Sequence, residues 1–230
     1  MVAAKERTVI RVCLQGGNEL MAESREMDAA LLAMAGPGPV VVVPLASTPG
    51  SDYARTGAHA TAYFAGLGAE AVVAPDARKD AAGAARAVDE AGYVVLTGGS
   101  PRTLRDALVE TGLGEHIRTA AGRGMLVMGS SAGAMVACHT TLLPQWRGNP
   151  NVGPGLGLID GYVVVPHFDG RRTAWVRAGL TAAPAVLGIP ENSGVLVEGE
   201  RLTALGRSST TLITADGRTE IVAGVGFEPT

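Results

Sequence analysis

The run Met125-Leu126-Val127-Met128 leads into Gly129-Ser130-Ser131-Ala132-Gly133, and Ala134-Met135-Val136-Ala137-Cys138 follows. An apolar run, a G-x-S-x-G turn and an alanine-rich run in that order describe a strand, a sharp turn and a helix. Such a turn strains the backbone at its tip. Glycines two residues before and after the tip remove the side chains that would collide where strand and helix nearly touch. The hydroxyl of Ser131 is then exposed at the sheet edge, with the free N–H groups of the helix start beside it. Ser131 is read as a nucleophile. The fold must therefore contain a sheet whose strand ends meet helix beginnings.

The rest of the chain supplies that sheet. Val9–Leu14, Val40–Val43, Ala71–Ala74 and Tyr93–Leu96 are apolar runs separated by segments with helical spacing. Val40-Val41-Val42-Val43 has no polar face, as expected of a strand buried on both sides in a parallel sheet. Helices are expected over 20–34, 53–67, 81–91 and 116–121, with another starting at Pro101. The alternation implies an α/β fold of three layers, a mostly parallel sheet with helices on both faces. Ligands of such folds bind off the carboxyl ends of the strands. The loops at 15–19, 46–51, 98–101 and 129–133 share that edge. Residues 143–159 read as one long loop beside the site, because Pro, Gly and Asn dominate there. From Val195 the elements shorten into antiparallel hairpins expected to close the sheet. A single domain over 1–230 is expected.

Composition excludes several classes. A net charge of −3 with scattered signs is no nucleic-acid footprint. No apolar run reaches the ~18 residues of a membrane span. The start, 1–8, is polar and unlike a signal peptide. A cytoplasmic protein, monomer or homodimer, with neither nucleic acid nor membrane as partner is expected. Cys13 and Cys138 lie in apolar runs and read as buried thiols.

A serine nucleophile needs a base, and the base needs an orienting group. Of the four histidines, His59 and His116 lie on helices, and His139 lies two turns beyond Ser131, away from the edge. His167 ends the strand Gly161–Pro166 at a polar loop. Two carboxylates compete to orient it, Asp169 and Glu191. An oxyanion would be met by the Ala132 amide and by a glycine loop at the same edge, with Gly98-Gly99 favoured and Gly16-Gly17 shaping the floor. No phosphate loop is present.

These residues resemble the dipeptidase E and cyanophycinase family of serine peptidases, whose fold is like that of class I glutamine amidotransferases. The resemblance rests on Gly129-Ser130-Ser131-Ala132-Gly133-Ala134, Thr97-Gly98-Gly99, Pro166-His167-Phe168 and Gly188-Ile189-Pro190-Glu191. The order serine, histidine, acid differs from that of α/β-hydrolases. The resemblance implies a catalytic set of Ser131, His167 and Glu191, oxyanion amides on Gly99 and Ala132, and an acyl-enzyme on Ser131. It implies no cofactor and no metal. Its members recognise a substrate carboxylate, which points to small peptides with an N-terminal aspartate, and to Gly98, Ser100, Arg171 and Arg172 as substrate contacts. Ser100 stands where the family usually has Asn or Asp, and the fuller arginine pattern of cyanophycinase is missing. The alternatives are a cyanophycinase-like hydrolase of aspartyl isopeptides and a non-catalytic binding or sensor domain of the amidotransferase-like fold.

Overall fold

A computed structural model describes residues 9–229; the polar start read at 1–8 lies outside them. In chain order the elements are β1 (Arg11–Gln15), α1 (Arg25–Met34), β2 (Val40–Val43), α2 (Ser51–Ala65), β3 (Ala71–Val73), α3 (Ala81–Asp89) and β4 (Tyr93–Leu96). Then come α4 (Pro101–Glu110), α5 (Leu113–Gly122), β5 (Leu126–Ser130), α6 (Ala132–Ala137), β6 (Thr140–Leu143) and β7 (Asn151–Pro154). The chain continues through β8 (Tyr162–Pro166), α7 (Thr173–Leu180), β9 (Ala185–Ile189), β10 (Ser193–Glu198), β11 (Arg201–Gly206), β12 (Thr210–Thr214), β13 (Gly217–Ile221) and β14 (Gly226–Phe227).

Eight strands form the main sheet in the order β14-β11-β10-β1-β5-β4-β2-β3. The neighbours from β1 to β3 run parallel, and β10, β11 and β14 extend the sheet antiparallel. The four valines of β2 behave as their composition requires. Val41 and Val43 pack into one core with α3, α4 and α5, while Val40 and Val42 face Met27 and Leu31 of α1 and Phe64 of α2. Each side of the sheet is thus sealed by an apolar layer, which makes this an α/β fold with helices on both faces.

Three regions differ from expectation. The segment read as a helix from Leu20 is helical only from Arg25. Leu20 itself has φ +62°, and a 3₁₀ turn over Ala22–Ser24 intervenes. Within 143–159 the chain forms β7, which pairs antiparallel with β6. Asn151-Val152-Gly153-Pro154 has no strand pattern of its own, so its extended form comes from the partner. The β10–β11 hairpin joins the main sheet as expected. The β12–β13 hairpin instead builds a second sheet, in the order β13-β12-β9-β8. Val163, Val164 and Val165 of β8 and Val186 and Leu187 of β9 bury into the core that also holds α6. The ends of β5, β8 and β9 thereby converge.

Candidate active site

Ser131 stands between β5 and α6 with φ +47° and ψ −102°, a conformation that side chains rarely adopt. Its neighbours explain why the chain accepts it. A Cβ on Gly129 would run into the Gly133 backbone, and one on Gly133 into the Leu96 carbonyl at the end of β4. Both clashes are with backbone, which cannot move aside. The Ser131 N–H donates to the Gln15 carbonyl at 2.9 Å, which fixes the turn against the end of β1.

His167 follows β8, and Glu191 follows β9 after Pro190. Because β8 and β9 pair in parallel with Pro166 beside Ile189, both side chains reach the same edge. Ser131 Oγ lies 2.9 Å from His167 Nε2, and His167 Nδ1 lies 2.8 Å from Glu191 Oε1. Glu191 can only accept from Nδ1–H when ionised, which leaves Nε2 as the acceptor for the serine hydroxyl. The loop after β1 lies beneath. Gly16 O accepts the His167 N–H at 2.8 Å, and Gly17 O accepts the Asn192 N–H at 3.0 Å. The imidazole rests on Gly17, where a Cβ would enter the ring. Gly16-Gly17 is therefore the floor of the site.

The second carboxylate considered from sequence points elsewhere. Asp169 Oδ1 accepts the Arg171 N–H at 2.9 Å and closes a local turn. His59 is exposed on α2, and His116 pairs with Asp89 at 3.1 Å. His139 faces Asp160 at 3.5 Å. Both cysteines are fully buried and unbridged. Burial pushes the Cys138 thiol up to about 12, so it is neither ionised nor accessible as a nucleophile.

Gly98 and Gly99 follow β4, which pairs with β5 as the sequence suggested. The two amides differ. Gly98 N–H donates to Glu19 Oε1 at 2.7 Å. Gly99, at φ +136°, has an N–H without a protein acceptor among the described residues, as does Ala132 at the start of α6. The Ser100 hydroxyl caps α4 by accepting the Thr103 N–H at 3.2 Å. Arg172 donates from Nε to the His167 carbonyl at 3.2 Å and lies over the Trp175 ring. The Arg171 side chain is exposed and has no hydrogen bond among the described residues. Glu19 was not singled out in the sequence; its only signal was a carboxylate two residues after the Gly16-Gly17 pair. Among the described residues no three His, Cys, Asp or Glu side chains are grouped to hold a metal ion.

Residues 12–205 match the sequence model of peptidase family S51. The chain belongs to peptidase family S51. The match covers most of the chain and places this S51 protein among serine-type peptidases. Its fold is similar to that of a peptidase from an acI-B1 actinobacterium, with a TM-score of 0.82 and 21% identity over 97% of this chain and 98% of that one. It is also similar to a putative peptidase E protein from Listeria monocytogenes EGD-e, with a TM-score of 0.63 and 15% identity over 87% of this chain and 100% of that one. No curated protein matches the S51 chain significantly.

Proposed function

We propose that this peptidase hydrolyses small peptides, dipeptides with an N-terminal aspartate foremost, through an acyl-enzyme on Ser131. The observation that carries the reading is the continuous relay from Ser131 through His167 to Glu191, at 2.9 and 2.8 Å. His167 takes the serine proton as Ser131 Oγ attacks the peptide carbonyl carbon. The carbonyl oxygen becomes an anion and is met by the Gly99 and Ala132 amides. When the C–N bond breaks, His167 returns the proton to the departing amine. A water molecule then repeats the sequence on the ester and frees Ser131. Glu191 holds the imidazole in the tautomer that accepts from serine and stabilises it once charged.

Of the two arginines after β8, Arg171 is the one whose guanidinium has no partner among the described residues, so it is assigned the substrate carboxylate. Arg172 braces the loop from behind through the His167 carbonyl. An arginine holding a carboxylate contributes about 1.5–3 kcal/mol. Asp-Leu should therefore be cleaved at least ~10-fold faster than Asn-Leu, an isosteric amide without the charge. Arg171→Met should erase that preference while Ser131 still reacts with a fluorophosphonate. Equal rates on the two dipeptides in the parental protein would remove the aspartate preference and leave a serine peptidase of other specificity.

A further inference from the structure

Five non-glycine residues among those described have positive φ: Asn18, Leu20, Ser131, His167 and Asn192. Ser131 and His167 belong to the relay, and Asn192 follows Glu191. The remaining two flank Glu19. A left-handed leucine is a steric outlier that persists only where its surroundings enforce it. Here Leu20 is buried against the core beside Met27 and Leu31, and Asn18 is tied through Nδ2 to Asn192 Oδ1 at 3.2 Å. The loop after β1 is clamped on both sides of Glu19, and the clamp aims one carboxylate across the ends of β4 and β5.

That carboxylate has two partners from distant parts of the chain. Oε1 accepts the Gly98 N–H at 2.7 Å, and Oε2 accepts the Ser130 hydroxyl at 2.9 Å. Bonds to an ionised acceptor are shorter and stronger than neutral ones. The fit is close: a Cβ on Gly98 would stand 2.7 Å from Oε1. On the far side, the Ser100 N–H donates to the Ala46 carbonyl at 3.0 Å. A Cβ on Gly99 would stand 2.6 Å from that same oxygen. Of three consecutive amides, the outer two are therefore engaged, and the middle one, Gly99, has no protein acceptor among the described residues.

We propose that Glu19 is a positioning residue that fixes the direction of the Gly99 N–H and couples the Gly98–Gly99 loop to the nucleophile turn. It acts through Gly98 and Ser130 and touches no reacting atom. The inference rests on the assignment of Ser131 and the Gly99 amide given above.

The test compares Glu19→Ala, Glu19→Gln and Ser130→Ala with the parental protein on the best dipeptide found. Glutamine can offer its oxygen to Gly98 and its amide hydrogens to Ser130 Oγ, so it should restore what alanine removes. Losing one oxyanion donor outright costs ~10²–10³ in kcat, and misdirecting one should cost Glu19→Ala about 10–100-fold in kcat. KM should move less than about 3-fold, since the ground-state carbonyl does not depend on that donor. Glu19→Gln should return to within about 5-fold of parental, and Ser130→Ala, which keeps the Gly98 contact, should lie between. Affinity for a peptide aldehyde, whose hemiacetal carries the oxyanion, should fall in step with kcat, while product affinity holds. If Glu19→Ala does not fold, Glu19→Gln and Ser130→Ala decide by the same readouts. Unchanged kcat in Glu19→Ala, a loss confined to KM, or no rescue by glutamine overturns the role of Glu19. If parental Ser131 reacts with a fluorophosphonate and Glu19→Ala reacts equally fast, only this inference falls. If the parental protein neither reacts nor cleaves, the serine assignment falls, and this one with it.

Discussion

On the main sheet, Ser131 sits between two glycines whose missing side chains face backbone, and the residues on either side, Ser130 and Ala132, are fully buried. On the second sheet, the side chains of His167 and Glu191 remain 34% and 54% exposed. The first half of the site is held chiefly by exclusion, because no added atom fits at Gly129 or Gly133, with the Ser131 N–H to Gln15 bond fixing the turn. The second half is held by hydrogen bonds: the Gly16 and Gly17 carbonyls accept the His167 and Asn192 N–H groups from below, and Glu191 accepts from the imidazole. The contrast teaches where a change should break the molecule and where it should break only the chemistry. Packing errors near Ser131 strain the core, whereas displaced groups near His167 leave the core untouched.

The largest expected effect lies at the nucleophile. Ser131→Ala should lower turnover by up to ~10⁶ while the melting temperature stays close to parental, since one hydroxyl is lost. Near-parental hydrolysis by that variant would dissolve the comparison, because the tightly packed half would then carry no chemistry. Next comes the acid. Glu191→Gln should depress kcat by about 10⁴ through loss of the correct tautomer, whereas Asp169→Asn should stay within roughly 3-fold, an exposed local turn being all it supports. The reverse order of these two would move the exposed half of the site to the turn after β8.

A glycine pair separates the halves more finely. Gly133→Ala forces a side chain into the Leu96 carbonyl and should destabilise by ~1–3 kcal/mol or more, visible as a lower melting temperature. Gly17→Ala meets the imidazole instead, a side chain that can turn away, so that what remains is the backbone strain of a side chain at φ +116°. It should cost about 10² in kcat from a displacement near 1 Å, with a smaller loss of stability than Gly133→Ala. Thermal melts that rank the two variants the other way would mean that both halves are held alike.

The smallest effect leaves turnover alone. Asp28, fully buried on α1, accepts the Tyr63 hydroxyl at 2.7 Å. Burial pushes its carboxyl from 3.8 up to about 6, with the Tyr63 bond opposing and the Glu19 charge adding. The folded state thus prefers the neutral acid. The stability this contributes is complete below pH 3.8 and is lost as pH rises through about 6, a change of roughly 3 kcal/mol across that window. Urea denaturation of Asp28→Asn should lack that component of the pH dependence. A parental slope preserved in the variant would show that Asp28 is not the source.

Local chemistry made much of the molecule legible in its sequence. Val40–Val43 announced a strand buried on both faces, Pro101 a helix start, and Gly129–Gly133 a strand-to-helix turn. His167 was distinguishable because it ends a strand. The choice between Asp169 and Glu191 was not decided by the residues alone, since both are acids in turns; it required the parallel pairing of β8 with β9. Glu19 escaped because its partners stand 79 and 111 positions away, and nothing local marks an acid with such reach. The β12–β13 hairpin was visible as a hairpin, but turn residues do not say which sheet receives it. The 3₁₀ turn before α1 was hidden by Leu20, which fits the helical pattern and yet takes a left-handed conformation.

The position of β1 has a consequence during synthesis. It lies inside the main sheet, between β5 and β10. Glu19, Gly99, Ser131, His167 and Glu191 have all been made before β10 begins at Ser193. A chain grown only that far would own every residue of the site and still present β1 with one bare edge. Val12, Cys13 and Leu14 on that edge are fully buried in the finished protein. An uncovered apolar edge is a template for pairing with another chain. The C-terminal strands, which contribute none of the proposed site residues, therefore act as the seal over that edge, with β10 covering β1.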